Sequence, residues 1–345
     1  MIVRWLSASV ALMALASSAG GAGKPPIAAQ SWLHDGLSAA SSPGSTGQPG
    51  PERSPEADLR VVAASGSCGT LRLGETTVAT LSNAPIVTLL ANGKPVTVLL
   101  DTGAETTILT PAVAQRLGAQ PPRVEFQRQM RGVAGSLPTS EVELHSFTIG
   151  GVAIPWQRVR VAPINVASVF SGPLDGVLGA DSLSSFDIDL DLPNNRLTVY
   201  SRQTCPGAAP AWSEPYVTIA AGRSKADYLF FPVQLDGRSI SAFVDTGAQS
   251  SVLSTRAALA LGVTAGRLAQ DPVRVLRGAA AEQVNARVHR FARLELGAEV
   301  IRNPEIIVAD LRLSDADLVL GIDLVRTRRI WFSYGSQKIF LPRRS

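Results

Sequence analysis

The chain writes nearly the same heptapeptide twice: Val98-Leu99-Leu100-Asp101-Thr102-Gly103-Ala104 and, 144 residues later, Ala242-Phe243-Val244-Asp245-Thr246-Gly247-Ala248. In each, an apolar strand-like run delivers an aspartate into a tight Thr-Gly turn. One such tripeptide says little, because ordinary composition produces it by chance in roughly one chain in ten of this length. Two copies at a fixed offset constrain the fold: a duplicated unit packed against its twin offers two carboxylates to a single shared site.

The repeat extends well beyond the motif. Ahead of the first aspartate, Pro85 to Leu90 leads through Asn92-Gly93 into Val96 to Leu100; ahead of the second, Tyr228 to Val233 leads through Asp236-Gly237 into Ile240 to Val244. Asn-Gly and Asp-Gly between apolar runs predict hairpins, since both turn residues need positive φ. Thr110-Pro111 and Ser254-Thr255 predict short helices ending at Gly118 and Gly262. Further on come Val177-Leu178-Gly179 and Val319-Leu320-Gly321, and each copy closes on a strand-like tail, 196–200 and 338–341. Short strands with turns between them and few helical stretches predict an all-β chain of two homologous lobes. The lobes span 69–202 and 212–343, joined by a linker at 203–211.

Residues 1–23 read as an export signal: Arg4, an apolar stretch from Trp5 to Ala16, then a small-residue region from Ser17 to Gly23. A dozen apolar residues are too few to span a bilayer, which takes ~20; an uncleaved anchor or a mis-assigned start is the alternative. No later segment qualifies as transmembrane, so a periplasmic or secreted protein with no membrane span after signal removal is expected. Residues 24–66, rich in Pro, Gly, Ser and Ala, read as a disordered linker or as a propeptide covering the site. Cys68 and Cys205 either form a disulfide, typically worth about 2–4 kcal/mol, or remain two free thiols. The net charge of +4 is carried by dispersed arginines, a solvated surface rather than a nucleic-acid face.

Paired carboxylates have a definite chemistry. At ~3 Å apart and an effective dielectric near 20, two negative charges repel by on the order of 5 kcal/mol. The pair therefore retains one proton and titrates as a unit. The ionised member can take a proton from water as it attacks a peptide carbonyl, while the protonated member donates to the developing oxyanion. Gly103 and Gly247 allow a close backbone approach, Thr102 and Thr246 carry hydroxyls able to bond across the interface, and Gly179 and Gly321 suit a strand passing tightly behind the loop. Asp181 and Asp323 read as helix caps. His34, His145 and His289 fall in no metal-ligand or triad spacing, so neither metal nor cofactor is expected. Glu105 follows the first motif where Gln249 follows the second, an asymmetry able to shape opposite ends of a cleft.

With these motifs quoted, 69–343 resembles the retropepsin-like and pepsin-like aspartic proteases, in a two-lobe, single-chain bacterial form. DTGAETTIL (101–109) and DTGAQSSVL (245–253) are closest to the retroviral type. The resemblance implies two retropepsin-like β-barrel lobes with pseudo-twofold symmetry, Asp101 and Asp245 as the catalytic dyad of an aspartic endopeptidase, and a polypeptide substrate. It further implies Thr102 and Thr246 as an interlobe grip, Gly179 and Gly321 in ψ-shaped loops, and flaps near Gly132, Gly135 and Gly278. Three departures stand out. Both halves share one chain, so a monomer is expected to be active; no flap tyrosine is present; and Ala180 and Ile322 replace the arginine of many retroviral enzymes. Alanine at 104 and 248 withholds a hydroxyl donor from the dyad, which predicts raised pKa values and a mildly acidic or neutral optimum. The rival reading is a protease-shaped module that binds peptides without cutting them.

Overall fold

The computed structural model describes Ala14–Leu15 and residues 69–121, 128–132, 135–155, 157–164, 174–205, 207–277, 283–313 and 315–343. The chain is all-β: strands dominate the described residues, and the helices among them run from four to seven residues.

Both predicted hairpins form. Ala84–Ala91 turns through Asn92-Gly93 into Lys94–Leu100, with Ala91 opposite Lys94. Leu229–Leu235 turns through Asp236-Gly237 into Arg238–Val244, with Leu235 opposite Arg238. The four turn residues have φ of 48°, 72°, 50° and 77°, the left-handed pairing that matches the twist of the flanking strands. The strand leading to each aspartate is buried on both faces. Val96, Val98 and Leu100 enter the main core while Leu99 packs with Val177 on the other side; Ala242 and Val244 repeat the first arrangement, Phe243 with Val319 the second. Burial on two sides is why these runs are continuously apolar rather than alternating.

In each lobe a later strand threads between the segments flanking the aspartate. Gly176–Leu178 runs parallel to Lys94–Leu100 and antiparallel to Ile108–Leu109. Leu318–Leu320 does the same with Arg238–Val244 and Val252–Ser254. A six-stranded sheet then joins the lobes, in the order Tyr216–Ala220, Lys338–Pro342, Arg329–Ser333, Asp187–Asp191, Arg196–Tyr200, Arg72–Thr77. At its centre Asp189 sits opposite Trp331, 142 residues away and its own counterpart in the repeat, so the pseudo-twofold axis passes between them. Arg329 clamps this seam, donating to Asp189 at 2.7 and 3.0 Å and stacking its guanidinium 4.6 Å above the Trp212 ring.

The helices match expectation with two refinements. Pro111–Leu117 ends on left-handed Gly118 (φ 65°), but Thr110 makes no side-chain cap bond. Thr255–Ala260 is capped by Ser254 Oγ, which accepts from Ala257 N at 3.2 Å. Ala265–Gln270, capped by Thr264, was not foreseen. Asp181 and Asp323 are not caps: Gly179 and Gly321 hold the cap positions, and the two aspartates lie in the first turns of Ala180–Leu183 and Ile322–Val325.

Of the N-terminal apolar stretch, Ala14–Leu15 pairs antiparallel with Val273–Arg277, Leu15 opposite Leu276. The rest of the export-signal region and the linker or propeptide at 24–66 lie outside the described residues. Cys205 is disulfide-bonded; Cys68, the chain's other cysteine, lies outside the described residues. No helix among the described residues is long and apolar enough to cross a membrane.

Candidate active site

The two threaded strands fix the aspartates by backbone bonds: Asp101 N donates to Leu178 O at 3.1 Å and Asp245 N to Leu320 O at 3.0 Å. Each turn then bends back on its own carboxylate. Asp101 Oδ1 accepts from Gly103 N (2.9 Å) and Ala104 N (2.8 Å); Asp245 Oδ1 accepts from Gly247 N and Ala248 N, both at 2.9 Å. The other oxygens, Asp101 Oδ2 and Asp245 Oδ2, receive no donor from the described residues. The two carboxyls lie close together across the interface, each against the glycine of the opposite loop and near enough to influence the other's titration. The glycines permit this approach, because a Cβ at Gly103 would strike the Asp245 carboxyl and one at Gly247 the Asp101 carboxyl.

The two threonines bond across between the loops. Thr102 Oγ1 donates to Val244 O at 2.7 Å and accepts from Thr246 N at 3.2 Å. Reciprocally, Thr246 Oγ1 donates to Leu100 O and accepts from Thr102 N at 3.1 Å. Gly179 and Gly321 also sit where expected: a side chain there would overlap the Thr106 and Ser250 backbones, at 2.6 and 2.5 Å from their carbonyl carbons.

Behind these glycines lies a layer that the motifs alone did not reveal. Gly179 N donates to Thr107 Oγ1 (3.0 Å), and Thr107 Oγ1 donates to Asp181 (2.7 Å). Gly321 N donates to Ser251 Oγ (2.9 Å), and Ser251 Oγ to Asp323 (2.8 Å). Thr107 and Ser251 each stand six residues past their aspartate, so the repeat itself held the signal.

Both flap regions form hairpins. Arg128–Gly132 pairs with Gly135–Glu143, Gly132 opposite Gly135; Val273–Arg277 pairs with Gln283–Arg290, Arg277 opposite Gln283. Gly278 lies outside the described residues.

Electrostatics separate two geometrically equal carboxyls. Both are fully buried, and burial is the largest influence on each. It raises Asp101 to about 6, against the hydrogen bonds from Asp245, Ala104 and Gly103. Asp245 is raised well above its ordinary value, burial being reinforced by the charge of Asp101. Both carboxyls are thus pushed in the same direction, toward holding a proton, and titrate as a coupled pair.

Two buried carboxyls on symmetry-related Asp-Thr-Gly turns have the arrangement of an aspartic-protease type of centre. The sequence profile of the family described as aspartyl protease matches twice, over residues 86–182 and 231–324, more than half of the chain. The chain belongs to the aspartyl protease family. A stretch of 104 residues is also 33% identical to DNA damage-inducible protein 1 of Eremothecium gossypii, covering 30% of this chain and 21% of that protein. The crystal structure of the aspartic proteinase from Irpex lacteus is similar with a TM-score of 0.47 at 15% identity, over 79% of this chain and 97% of that one.

Proposed function

We propose that this protein is an exported aspartic endopeptidase acting as a monomer, with Asp101 and Asp245 as its catalytic dyad. The observation that carries this reading is the pair of buried carboxyls on twin loops, whose outer oxygens have no donor among the described residues while both inner oxygens are held by backbone N–H groups. The backbone bonds fix orientation and leave the outer oxygens uncommitted to the backbone. In the singly protonated pair, Asp101 acts as base toward an attacking water. Asp245 gives its proton to the carbonyl oxygen as it becomes an oxyanion, and the proton taken up by Asp101 later reaches the leaving nitrogen. The two hairpins at 128–143 and 273–290 are the candidate flaps over the substrate. The apolar stretch before Ala16 supports export, with a periplasmic or secreted location.

The test is cleavage of an unbiased peptide library from about pH 3 to about pH 8, with Asp101→Asn as control and pepstatin as inhibitor. Activity should climb as Asp101 ionises, through pH about 6, and fall once Asp245 loses its proton. Equal inertness of wild type and Asp101→Asn across the whole range would overturn endopeptidase activity and leave peptide binding as the function.

A further inference from the structure

Each repeat sends its entry segment across to the short helix of the other. In lobe 2 that segment holds Arg223 to Asp227, and Arg223 donates to Ser184 Oγ beside Ala180–Leu183 at 3.0 Å. Here an open cavity of about 610 Å³ lies between Glu105, Arg160, Arg202 and Lys225. The equivalent seam, where Thr80 and Asn83 of lobe 1 approach Ile322 and Arg326, encloses about 230 Å³ and carries a single charged side chain. Duplication thus supplies an internal control: the fold closes this junction with a small, nearly neutral wall, so packing does not demand the charges of the larger one. Strand register gives the same contrast. Arg160 lies beside Ile108 and opposite Glu141, whereas its counterpart Ile307 lies beside Val252 and opposite Val288.

The acids of the larger cavity are engaged. Asp181 accepts from Thr107 N (2.9 Å), Thr107 Oγ1 (2.7 Å) and Ser182 N (2.7 Å). Asp227 is bridged to Arg223 at 2.8 Å. Burial drives the Glu105 carboxyl upward against the pull of Arg160, and Glu141 faces Arg160 in register. Arg202 and Lys225 enter no ion pair among the described residues. Arg202 does act through space on Asp187, but that carboxylate already accepts from Gln203 N, Ser333 Oγ and Gly335 N.

We propose that this cavity is a specificity subsite, remote from the scissile bond, in which Arg202 and Lys225 hold a carboxylate of the peptide substrate. The assignment rests on the endopeptidase reading. The cavity begins at Glu105, four residues beyond Asp101 on the same loop, and its counterpart in the other lobe is small and nearly neutral. Substrate should therefore be read for charge at one end only.

The experiment is a peptide-library cleavage profile of wild type and of Arg202→Glu/Lys225→Glu, made with free and with amidated C-termini. Wild type should enrich Asp and Glu about five- to tenfold at one position away from the cut, and the double variant should turn that preference toward Lys and Arg. Loss of the preference on amidation alone would assign the carboxylate to the chain end rather than to a side chain. A wild-type profile without acidic enrichment, or an acidic preference intact in the double variant, overturns the subsite and leaves proteolysis standing. If wild type cleaves nothing, binding to Asp101→Asn decides separately: a Glu-bearing peptide binding no tighter than its Gln twin sinks the subsite as well. Should thermal melting show the double variant unfolded, Lys225→Gln serves instead, with an expected threefold or so loss of acidic enrichment; unchanged enrichment there counts against the proposal.

Discussion

The two lobes match closely at the axis and diverge at the rim. At the axis the inner carboxylate bonds differ by no more than 0.1 Å between copies, as do the Thr102 N and Thr246 N bonds to the opposite hydroxyl. At the rim, Arg160 and Glu141 are replaced by Ile307 and Val288, and Arg223, opposite Leu229, stands where the first copy has Thr80 opposite Pro85. Thr102 and Thr246 bond each loop to its twin at the axis, so the two loops keep matching geometry there. Away from the axis the walls are not tied to their own counterparts, and each copy can carry its own side chains. Even the axis is symmetric in geometry alone, since the charge of Asp101 adds to burial in raising Asp245, whereas hydrogen bonds oppose burial at Asp101.

The largest expected effect tests whether that inequality matters to catalysis. Asp101→Asn and Asp245→Asn should each lower kcat by about a thousandfold or more, because base and acid are both required in one turnover. A surviving Asp245→Asn enzyme with near-normal kcat would mean that Asp101 works alone and that the second copy is scaffold. The grip comes next. Thr102→Val and Thr246→Val each strip a donor from a buried carbonyl and an acceptor from a buried N–H. At about 1–3 kcal/mol per orphaned group, each should cost on the order of 4 kcal/mol in urea unfolding. The two values should agree within error; a twofold disparity would break the equivalence claimed for the axis.

The pH dependence of stability follows from the sign of the carboxylate shifts. Asp101 is raised from 3.8 to about 6, and Asp245, Asp187, Asp181, Asp323 and Glu105 also move upward, burial being the largest cause in each. Below the unfolded-state value both states are protonated and stability is complete. As pH climbs from about 4 toward about 6, the unfolded chain ionises freely while the folded one resists, so protons are lost on unfolding and stability falls. The Asp101 shift alone corresponds to on the order of 3 kcal/mol. Chemical denaturation should therefore show a more stable protein near pH 4 than near pH 7, and Asp101→Asn should flatten part of that slope. A stability that rises over this interval would contradict the burial assigned to the dyad.

Much of this arrangement was legible in the sequence because it is local and written twice. Asn92-Gly93 and Asp236-Gly237 announce their hairpins through backbone conformation, and Gly179 and Gly321 announce a close pass through the absence of a side chain. What escaped depends on partners distant in the chain. The seam sheet joins segments some 140 residues apart whose apolar runs do not name their neighbours, and the Arg160–Glu141 pairing depends on register that no local pattern encodes. Ala265–Gln270 is too short to show helical periodicity. Asp181 and Asp323 follow an N-cap position, which made them look like caps; their real partners, Thr107 and Ser251, lie more than 70 residues back.

The smallest effect offers the cleanest contrast between copies, because it concerns two residues at the same place in the repeat. Thr110 and Ser254 both precede a short helix with extended backbone, at φ −73° and −64°. Only Ser254 closes the cap, accepting from Ala257 N at 3.2 Å. In the first copy Pro111 occupies the opening position, where a fixed φ favours the helix and no N–H is left to satisfy. Ser254→Ala should accordingly cost about 1 kcal/mol, and Thr110→Ala no more than a few tenths, both measured by urea midpoint at constant m-value. Equal losses would show that the hydroxyl of Thr110 caps its helix after all, while a negligible loss at Ser254 would show that packing of Ala257 and Ala258 into the core, rather than the cap, holds that helix in place.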